Sequence, residues 1–375
     1  MSTRLTLTAL ALATAVAAGA AAPAIAAGPD PVRQGLETLV HSDGAPGALA
    51  SVRDRAGHVR TYTAGVGDRD THAKVPRDGQ VRIGSVTKTF TAVVVLQLVG
   101  EGRISLDATV DHYLPGLVHG KGIDGGDITV RQLLQHTSGL PEYEEDVTDD
   151  ILKRRYVSPR DALDIALKHP AVSIPGAEFH YSSTNYLLAG LIVEKVTGRP
   201  FADVVDRRVI RKIGLRHTYF PAPGETSIRE RHPQGYRQDR SGALRDVTEI
   251  DPSASWAAGA MVSTDSDLNT FFSALLGGRL LDRPELDAMR TTVPMSEDDP
   301  DHKAGLGMIT MPLPCKDAQG HQRVAWTHSG SIPGYGTWSA ATDDGRAASV
   351  TMTRDITTNE AVQHLQRTVA SALCR

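Results

Sequence analysis

The sequence predicts an α/β protein of the α+β type, in which helices flank an antiparallel β-sheet and a helical subdomain interrupts it. Strand-like alternation occurs near both ends of the chain, whereas the middle carries short helical patterns cut by Gly and Pro. Strands at both ends with helices between them favour a single flanked sheet. We therefore expect a sheet-containing domain over residues 27–105 and 251–375, a helical subdomain over residues 106–250, and a ligand cleft between the layers.

The composition is that of a globular protein of 375 residues, with 40% hydrophobic and 22% charged residues. A net charge of -4 does not provide the broad basic surface that binding to nucleic acid requires, so we expect no such partner. The chain has no His-Glu-x-x-His, paired Cys-x-x-Cys or phosphate-binding glycine loop, so we expect neither a metal nor a cofactor.

The N-terminus has the features of a secretory signal peptide over residues 1–26. One early cation precedes an apolar, Ala-rich centre, and an Ala-x-Ala sequence ends at Ala26. A membrane anchor is the alternative, but the apolar part is short and is interrupted at Pro23. We therefore expect a secreted protein with no stable membrane anchor.

The two cysteines, Cys315 and Cys374, are expected to form a disulfide, because an oxidising compartment favours pairing. Two free buried thiols are the alternative. A disulfide would fix the C-terminal segment to the rest of the domain and stabilise the fold by about 4 kcal/mol in the chain-entropy account.

The first predicted elements are a β-hairpin with its turn at Gly57 and a helix that begins near Ser85. In the helix, Phe90, Val94 and Leu98 recur at helical spacing, so we expect deep burial except at its first turn. Helical patterns follow through the subdomain, and another helix begins in STDSDL. The later strand patterns are AGLGMITM, QRVAWTHSG, YGTWSAATD and AASVTMTRD, and the last helix is NEAVQHLQRTVASALC.

Ser85 and Lys88 form a Ser-x-x-Lys pattern at the head of the buried helix. A serine hydroxyl needs a base within hydrogen-bond reach to act as a nucleophile, and residues three apart share a helix face. The positive helix N-terminus should also lower the pKa of the lysine. The alternative is a helix cap followed by a solvated lysine, because this short pattern arises often by chance.

Four motifs follow one another along the chain: IGSVTKTF, LLQHTSGL, FHYSSTNYLLAGLIVEKVTG and THSGSIPGYG. In this order they resemble the penicillin-recognising serine hydrolases, which include secreted D-Ala-D-Ala carboxypeptidases, class C β-lactamases and related esterases. The likeness is greatest to the secreted carboxypeptidases, and it covers nearly the whole mature chain.

The resemblance implies that Ser85 is the acylated nucleophile, Lys88 its first partner and Tyr181 the base that takes its proton. It places His328 on the strand beside the nucleophile, where it would bind substrate or support the charge of Tyr181. Read alone, Tyr181 would be a half-buried aromatic residue and His328 a structural histidine.

The same resemblance implies substrate contacts from Ser183, Trp256, Ser329, Gly330 and Ser331. Gly330 would let substrate approach the backbone closely, and the N–H groups of Ser85 and Ser331 would form an oxyanion hole. Trp256 would wall the cleft, with a core tryptophan as the alternative.

Several positions depart from the family pattern. Ser183 stands where an asparagine is expected, and Asn185 could compensate for its shorter reach. Ile309 lies on the strand where such carboxypeptidases place an arginine for the terminal carboxylate of the peptide, and Pro333 also differs. His136, within HTSGL, is expected to be structural.

The function predicted first is a D-Ala-D-Ala carboxypeptidase that forms an acyl-enzyme with peptidoglycan stem peptides, with β-lactams as acylating ligands. The alternatives are an esterase, a β-lactamase or a peptidase for other D-residue peptides, which Ile309 and Ser183 favour. A catalytically silent wall-binding protein is the third hypothesis, and the presence of all four expected catalytic residues argues against it.

Overall fold

A computed structural model describes residues 30–147, 156–296, 298–299 and 301–375 of the chain. The predicted leader, residues 1–26, lies outside the described residues. The described part has the predicted α+β fold, with an antiparallel sheet covered by helices on both faces. Among these residues, no helix combines the length and apolar character that crossing a bilayer requires.

The main sheet of the described chain has eight strands in the order β2-β1-β14-β13-β12-β11-β10-β9, and three two-stranded pairs accompany it. The strands are β1 (Gly47–Arg53), β2 (Val59–Gly65), β3 (Val81–Arg82), β4 (His119–Gly120), β5 (Ile123–Asp124), β6 (Tyr236–Gln238), β7 (Leu244–Asp246), β8 (Val262–Ser263), β9 (Val293–Pro294), β10 (Lys303–Ala304), β11 (Ile309–Lys316), β12 (Gln322–Ile332), β13 (Tyr335–Ala341) and β14 (Ala347–Met352).

The helices include the predicted ones near Ser85, in STDSDL and at the C-terminus. They are α1 (Pro31–His41), α2 (Thr87–Gly100), α3 (Val110–Tyr113), α4 (Val130–Leu134), α5 (Pro159–Ala166), α6 (Thr184–Thr197), α7 (Phe201–Val205), α8 (Arg211–Ile213), α9 (Trp256–Gly259), α10 (Asp265–Leu276), α11 (Arg283–Met289) and α12 (Asn359–Leu373), with short 3₁₀ turns at Gly84–Val86, Glu144–Asp146 and Pro252–Ala254 and a π-helical turn at Asp206–Ile210.

The predicted hairpin is confirmed, since β1 and β2 pair antiparallel from Gly47 opposite Gly65 to Arg53 opposite Val59. The pairing of β11 with β12 ends at Ile309 opposite Thr327, so the rest of β12 has a free edge on that side, with no strand of the described chain paired to it. This free edge faces the part of the molecule where the predicted site residues lie.

Two apolar clusters hold the layers together. One lies between the sheet, α10 and the helical region, where the rings of Phe90 in α2 and Phe271 in α10 stack at 3.7 Å between centroids. The other lies on the opposite face of the sheet, under α1 and α12, and includes Leu36, Leu365 and Val350. α2 is buried on nearly all sides, including its first turn, which the sequence pattern predicted to be exposed.

Helix α1 was not predicted from the sequence, although its signals are present. Asp30 caps it by accepting from Val32 N at 3.0 Å, and Pro31 occupies its first turn. Val32, Leu36 and Leu39 then recur at helical spacing and are buried. The short apolar stripe is easily overlooked beside the longer apolar leader.

The predicted disulfide between Cys315 and Cys374 is present. It joins β11 to the C-terminal end of α12, because Cys374 is the residue that follows the last helical residue. The bond therefore helps to hold α12 against the sheet.

Candidate active site

Ser85 lies in the 3₁₀ turn Gly84–Val86 that leads directly into α2. The turn is compact because Val86 N donates to Ile83 O at 3.2 Å, and Gly84 has a positive φ of 49°. Ser85 remains partly exposed, whereas Gly84 and Val86 are buried. The hydroxyl of Ser85 is therefore presented at the edge of a buried helix.

Lys88 is fully buried one turn after Ser85, and its ammonium donates to Ser85 Oγ at 3.0 Å. It also donates to Ser183 Oγ at 3.3 Å and to the carbonyl oxygen of Ala258 at 3.0 Å. Because an ammonium has three N–H groups, these contacts use all of them. Lys88 is thus not the solvated lysine that the alternative interpretation describes.

The pKa of Lys88 is raised, in contrast to the lowering that the helix N-terminus predicts. Burial lowers this pKa, but the neighbouring Tyr181, Glu144 and Glu142 side chains raise it by more. The helix terminus is only a partial charge, and folding brings these three side chains close to the Lys88 ammonium. Lys88 is therefore an ammonium at neutral pH.

Tyr181 lies beside this ammonium, with Lys88 Nζ 4.9 Å from the centroid of its ring. The Tyr181 ring stacks on His136 at 4.4 Å between centroids. His136 also accepts from Ser182 N at 3.1 Å through Nδ1, and its own φ is +58°. His136 thus holds the Tyr181 segment through ring stacking and a backbone hydrogen bond, which fits the expected structural role.

His328 lies on β12 and is buried, with 3% exposure. Burial, as the larger cause, and the positive charge of Lys88 together lower the pKa of His328 to about 4. Its Nδ1 lies 2.6 Å from the carbonyl oxygen of Ser329, which fixes the ring with Nδ1 as the donor. His328 is consequently neutral at physiological pH.

Gly330 is required by the close approach of β12 to the nucleophile turn. A Cβ at this position would lie 1.9 Å from Ile83 O and 3.2 Å from Ser85 N. A Cβ at Gly84 would likewise lie 2.9 Å from Ser331 N. The glycines therefore bring the backbone of Ser85 beside that of Ser331, whereas the sequence-based interpretation assigned Gly330 to contact with substrate.

The nucleophile opens onto a cavity of ≈ 890 Å³. Ser85, Tyr181, His328, Ser329 and Ser331 line it, as the predicted roles require. Its other described lining residues are Glu144, Met295, Ser296, Asp299, His302, Ile309, Thr327, Trp338, Asn359, Val362, Gln363 and Gln366. A volume of this size is that of a small-molecule or peptide site.

Two predicted substrate contacts lie elsewhere. Trp256 is buried, its ring lies 5.3 Å from the ring of Phe201, and it lines a separate cavity of ≈ 560 Å³. The structure thus places Trp256 in the apolar core. Ser183 is fully buried against Lys88 and does not line the cavity.

Asn185 does not compensate for Ser183 at Lys88. Its side-chain oxygen accepts from Ser138 Oγ at 2.5 Å, and its nitrogen lies 3.2 Å from His136 Nδ1. Asn185 therefore belongs to the hydrogen bonds that hold the His136 turn.

Glu142 and Glu144 are site residues that the sequence analysis missed. Glu142 accepts from Ser183 N at 2.7 Å, while half-buried Glu144 lines the cavity together with Ser85. Burial raises the pKa of Glu144, the Lys88 ammonium lowers it, and Glu142 raises it again, with a net upward shift. The sequence feature that could have indicated them is an acidic run directly after the HTSGL motif. Such a run by itself is typical of a solvated loop.

The described residues contain no group of three or more His, Cys, Asp or Glu side chains arranged to hold a metal ion. The chemistry that the described groups support is acyl transfer, with a serine hydroxyl beside an ammonium and a phenol.

Comparisons with known proteins identify the family and the fold of the chain. Residues 32–373 match the family described as Beta-lactamase. A D-stereospecific amidohydrolase from Streptomyces sp. is similar, with 38% sequence identity, a TM-score of 0.80 and coverage of 90% of this chain and 98% of that chain. D-amino acid amidase from Ochrobactrum anthropi SV3, at 24% identity, shares the fold with a TM-score of 0.77 over 91% of this chain and 97% of its own.

Among curated proteins, Protein flp from Staphylococcus aureus (strain MW2) is 29% identical over 204 residues. These residues are 54% of this chain and 40% of flp, so the chain spans less than half the length of that relative.

Proposed function

This chain belongs to the Beta-lactamase family of serine hydrolases, and from that premise we propose that it cleaves amides and peptides of D-amino acids that have a free α-amino group. Ser85 is the proposed nucleophile, and the cavity next to it is the proposed substrate site.

The observation that carries the proposal is the position of Glu144 in this cavity. Glu144 lines the cavity with Ser85, and none of the described lining residues is an arginine or a lysine. A carboxylate complements the ammonium of a free amino group. A substrate with a terminal carboxylate would instead need a cation, and Ile309 supplies none.

The similarity to the Streptomyces enzyme supports the same substrate class. That protein is described as a D-stereospecific amidohydrolase, and at 38% identity over 90% of this chain the likeness exceeds the fold alone. Cleavage of an amide and selection of the D configuration are therefore included in the proposal.

The geometry supports a two-step reaction. Lys88 is an ammonium without a free lone pair, so it cannot accept the proton of Ser85, and we assign that role to the side-chain oxygen of Tyr181. Ser85 Oγ bonds to the substrate carbonyl carbon, the C–N bond breaks, and Tyr181 returns the proton to the leaving amine. Water then cleaves the ester, which releases the acid and restores Ser85.

The N–H groups of Ser85 and Ser331 are proposed to stabilise the oxyanion in both steps, since the Gly84 and Gly330 contacts bring the two backbones together. Neutral His328 is proposed to hydrogen-bond the substrate from β12, with Ser329 beside it in the cavity.

The second candidate is the D-Ala-D-Ala carboxypeptidase that the sequence predicted, acting on peptidoglycan stem peptides. The free edge of β12 favours it, because an extended peptide can pair there. Acylation by β-lactams is proposed for either function, and secretion is proposed from the leader pattern alone.

The test compares hydrolysis of D-phenylalanine amide, L-phenylalanine amide, an Nα-acetylated peptide ending in D-Ala-D-Ala, and a chromogenic cephalosporin. We expect D-selective turnover of the amide that Ser85→Ala abolishes. Turnover of the acetylated peptide alone would assign the protein as a carboxypeptidase. If none of these compounds is turned over and penicillin forms no covalent adduct on Ser85, the result would support the hypothesis of a catalytically silent wall-binding protein.

A further inference from the structure

The cavity extends well beyond Ser85 to a region formed by α12 and β13. Asn359, Val362, Gln363 and Gln366 lie on one stripe of α12, since they are spaced by three, four and seven positions. The opposite stripe of the helix, with Leu365 and Val369, is buried against the sheet. Helix α12 thus has one face for the core and another for the cavity.

The side chains on this cavity face are free to bind a ligand. The amides of Asn359, Gln363 and Gln366 make no side-chain hydrogen bond within the part of the chain that the structure describes. Between them Val362 is half-buried, and Ile309 lines the cavity from β11. Amides around an apolar floor match a peptide unit with an apolar side chain.

Trp338 on β13 provides a second, independent observation. Its side chain is 8% exposed and lines the cavity, yet its indole N–H has no hydrogen-bond partner among the described residues. Buried donors in folded proteins are normally paired, so this unpaired N–H is unusual. The nitrogen is closed to solvent, so it is the rest of the indole ring that borders the cavity and would pack against an apolar substrate group.

The register of the sheet shows where this region lies relative to the nucleophile. Ser329 of β12 is opposite Trp338, so both share the sheet face covered by α12. Glu144 lines the main cavity and also a small adjoining cavity with Ser255 and Ser331, which Trp338 does not line. Glu144 and Trp338 therefore lie in different parts of the cavity, and a substrate whose ammonium binds Glu144 can extend its leaving group toward Trp338 and α12.

We propose that Trp338, Ile309 and the cavity face of α12 form a subsite for the second residue of a peptide substrate, the residue released as the leaving amine. The proposal rests on the proposed function, because it uses Glu144 to fix the amino end. It means that peptides beginning with a D-residue, and carrying an apolar second residue, are better substrates than simple D-amino acid amides.

The experiment measures kcat/KM for D-phenylalanine amide and for a dipeptide whose C-terminus is blocked, D-phenylalanyl-D-phenylalanine amide, in the native protein. It repeats both measurements with Val362→Asp, Trp338→Phe and the control Glu360→Gln, an exposed α12 residue outside the cavity. We expect the native protein to prefer the dipeptide by about tenfold, and each subsite variant to lower the dipeptide-to-amide ratio by about tenfold, as the loss of one good contact predicts. The control should keep the native ratio.

Binding to Ser85→Ala protein separates the two proposals. Calorimetric titration should give a lower Kd for the dipeptide than for the amide, and Val362→Asp in that background should remove the difference. Turnover of the amide with an unchanged ratio in both subsite variants would overturn the subsite alone. Failure to turn over or bind either compound would overturn the proposed function and the subsite together.

Discussion

Gly330 passes so close to Ile83 that a Cβ on the glycine would lie 1.9 Å from the carbonyl oxygen of Ile83. Backbone atoms cannot move aside as a flexible side chain can, so the contact fixes the distance between β12 and the nucleophile turn. Since Ser85 follows Ile83 by two residues and Ser331 follows Gly330, the same contact sets the position of both proposed oxyanion donors.

Gly330→Ala should therefore reduce activity far more than an ordinary glycine substitution. Displacing one oxyanion donor costs about 10²–10³ in kcat, and overpacking should also lower stability by about 1–3 kcal/mol. Steady-state kinetics with D-phenylalanine amide and thermal unfolding check both effects. Gly126→Ala, at an exposed turn without a positive φ, is the control. Native kcat in a folded Gly330→Ala protein would show that β12 does not position the donors.

Tyr181→Phe should slow acylation strongly while the protein stays folded. The ring and its stacking on His136 are retained, but the hydroxyl that is proposed to take the Ser85 proton is lost. General-base catalysis typically contributes about 10²–10⁴ in rate, so adduct formation with a fluorescent penicillin should slow by that factor. Tyr156→Phe, outside this cavity, should react like the native protein. An unchanged adduct rate in Tyr181→Phe would assign the base to another group.

Much of this arrangement could be predicted from the sequence, because its signals are local. The hairpin at Gly57, helix α2 and the late strands follow from periodicity, and Ser85 and Lys88 are brought together by helix geometry alone. The contacts of Trp256 and Asn185 depend on which neighbours the first turn of a helix meets in the folded protein, which the spacing of residues does not determine.

The acidic residues of the site could not be predicted from the sequence for a different reason. The charge of Glu144 matters only because a loop carries it into a cavity beside Lys88, and its local pattern is that of a solvated loop. The prediction that the pKa of Lys88 falls was wrong for this reason: it used the helix terminus, which the sequence shows, and omitted charges that only folding brings near.

The pH dependence of kcat/KM should report Glu144. Its pKa is raised chiefly by burial, and only the ionised form binds a substrate ammonium. As pH falls through this raised pKa, the carboxylate becomes protonated and kcat/KM for D-phenylalanine amide should decline. His328, with a pKa of about 4, titrates lower still and should not contribute near neutral pH.

Glu144→Gln should remove this acid limb and lower kcat/KM by about 10-fold to 100-fold, the usual loss for a charge-assisted hydrogen bond. Ester substrates that lack an amino group serve as the internal control, because their kcat/KM should change little. A native acid limb in Glu144→Gln would mean that a different group binds the ammonium.

A buried carboxyl group beneath the sheet should make the fold less stable as pH rises. Asp265, the first residue of α10, is fully buried and accepts from Thr351 Oγ1 at 2.9 Å through one oxygen. Its other oxygen has no partner among the described residues. Burial raises the pKa of Asp265 well above its usual value, so the folded state holds the proton more tightly than the unfolded chain does.

The sign of the effect follows from linkage. A group that binds its proton more tightly in the folded state stabilises the fold fully below its unfolded pKa, and this stabilisation is lost as pH rises toward the folded pKa. Asp265→Asn keeps an acceptor for Thr351 and removes the cost of ionisation, so it should be more stable than the native protein at pH 7 by about 1 kcal/mol or more. Thermal unfolding from pH 4 to pH 8 should show a shallower decline in Tm for this variant, whereas exposed Asp127→Asn should follow the native curve. A lower Tm for Asp265→Asn across the whole range would mean that the carboxylate is paired in solution and stabilises the fold.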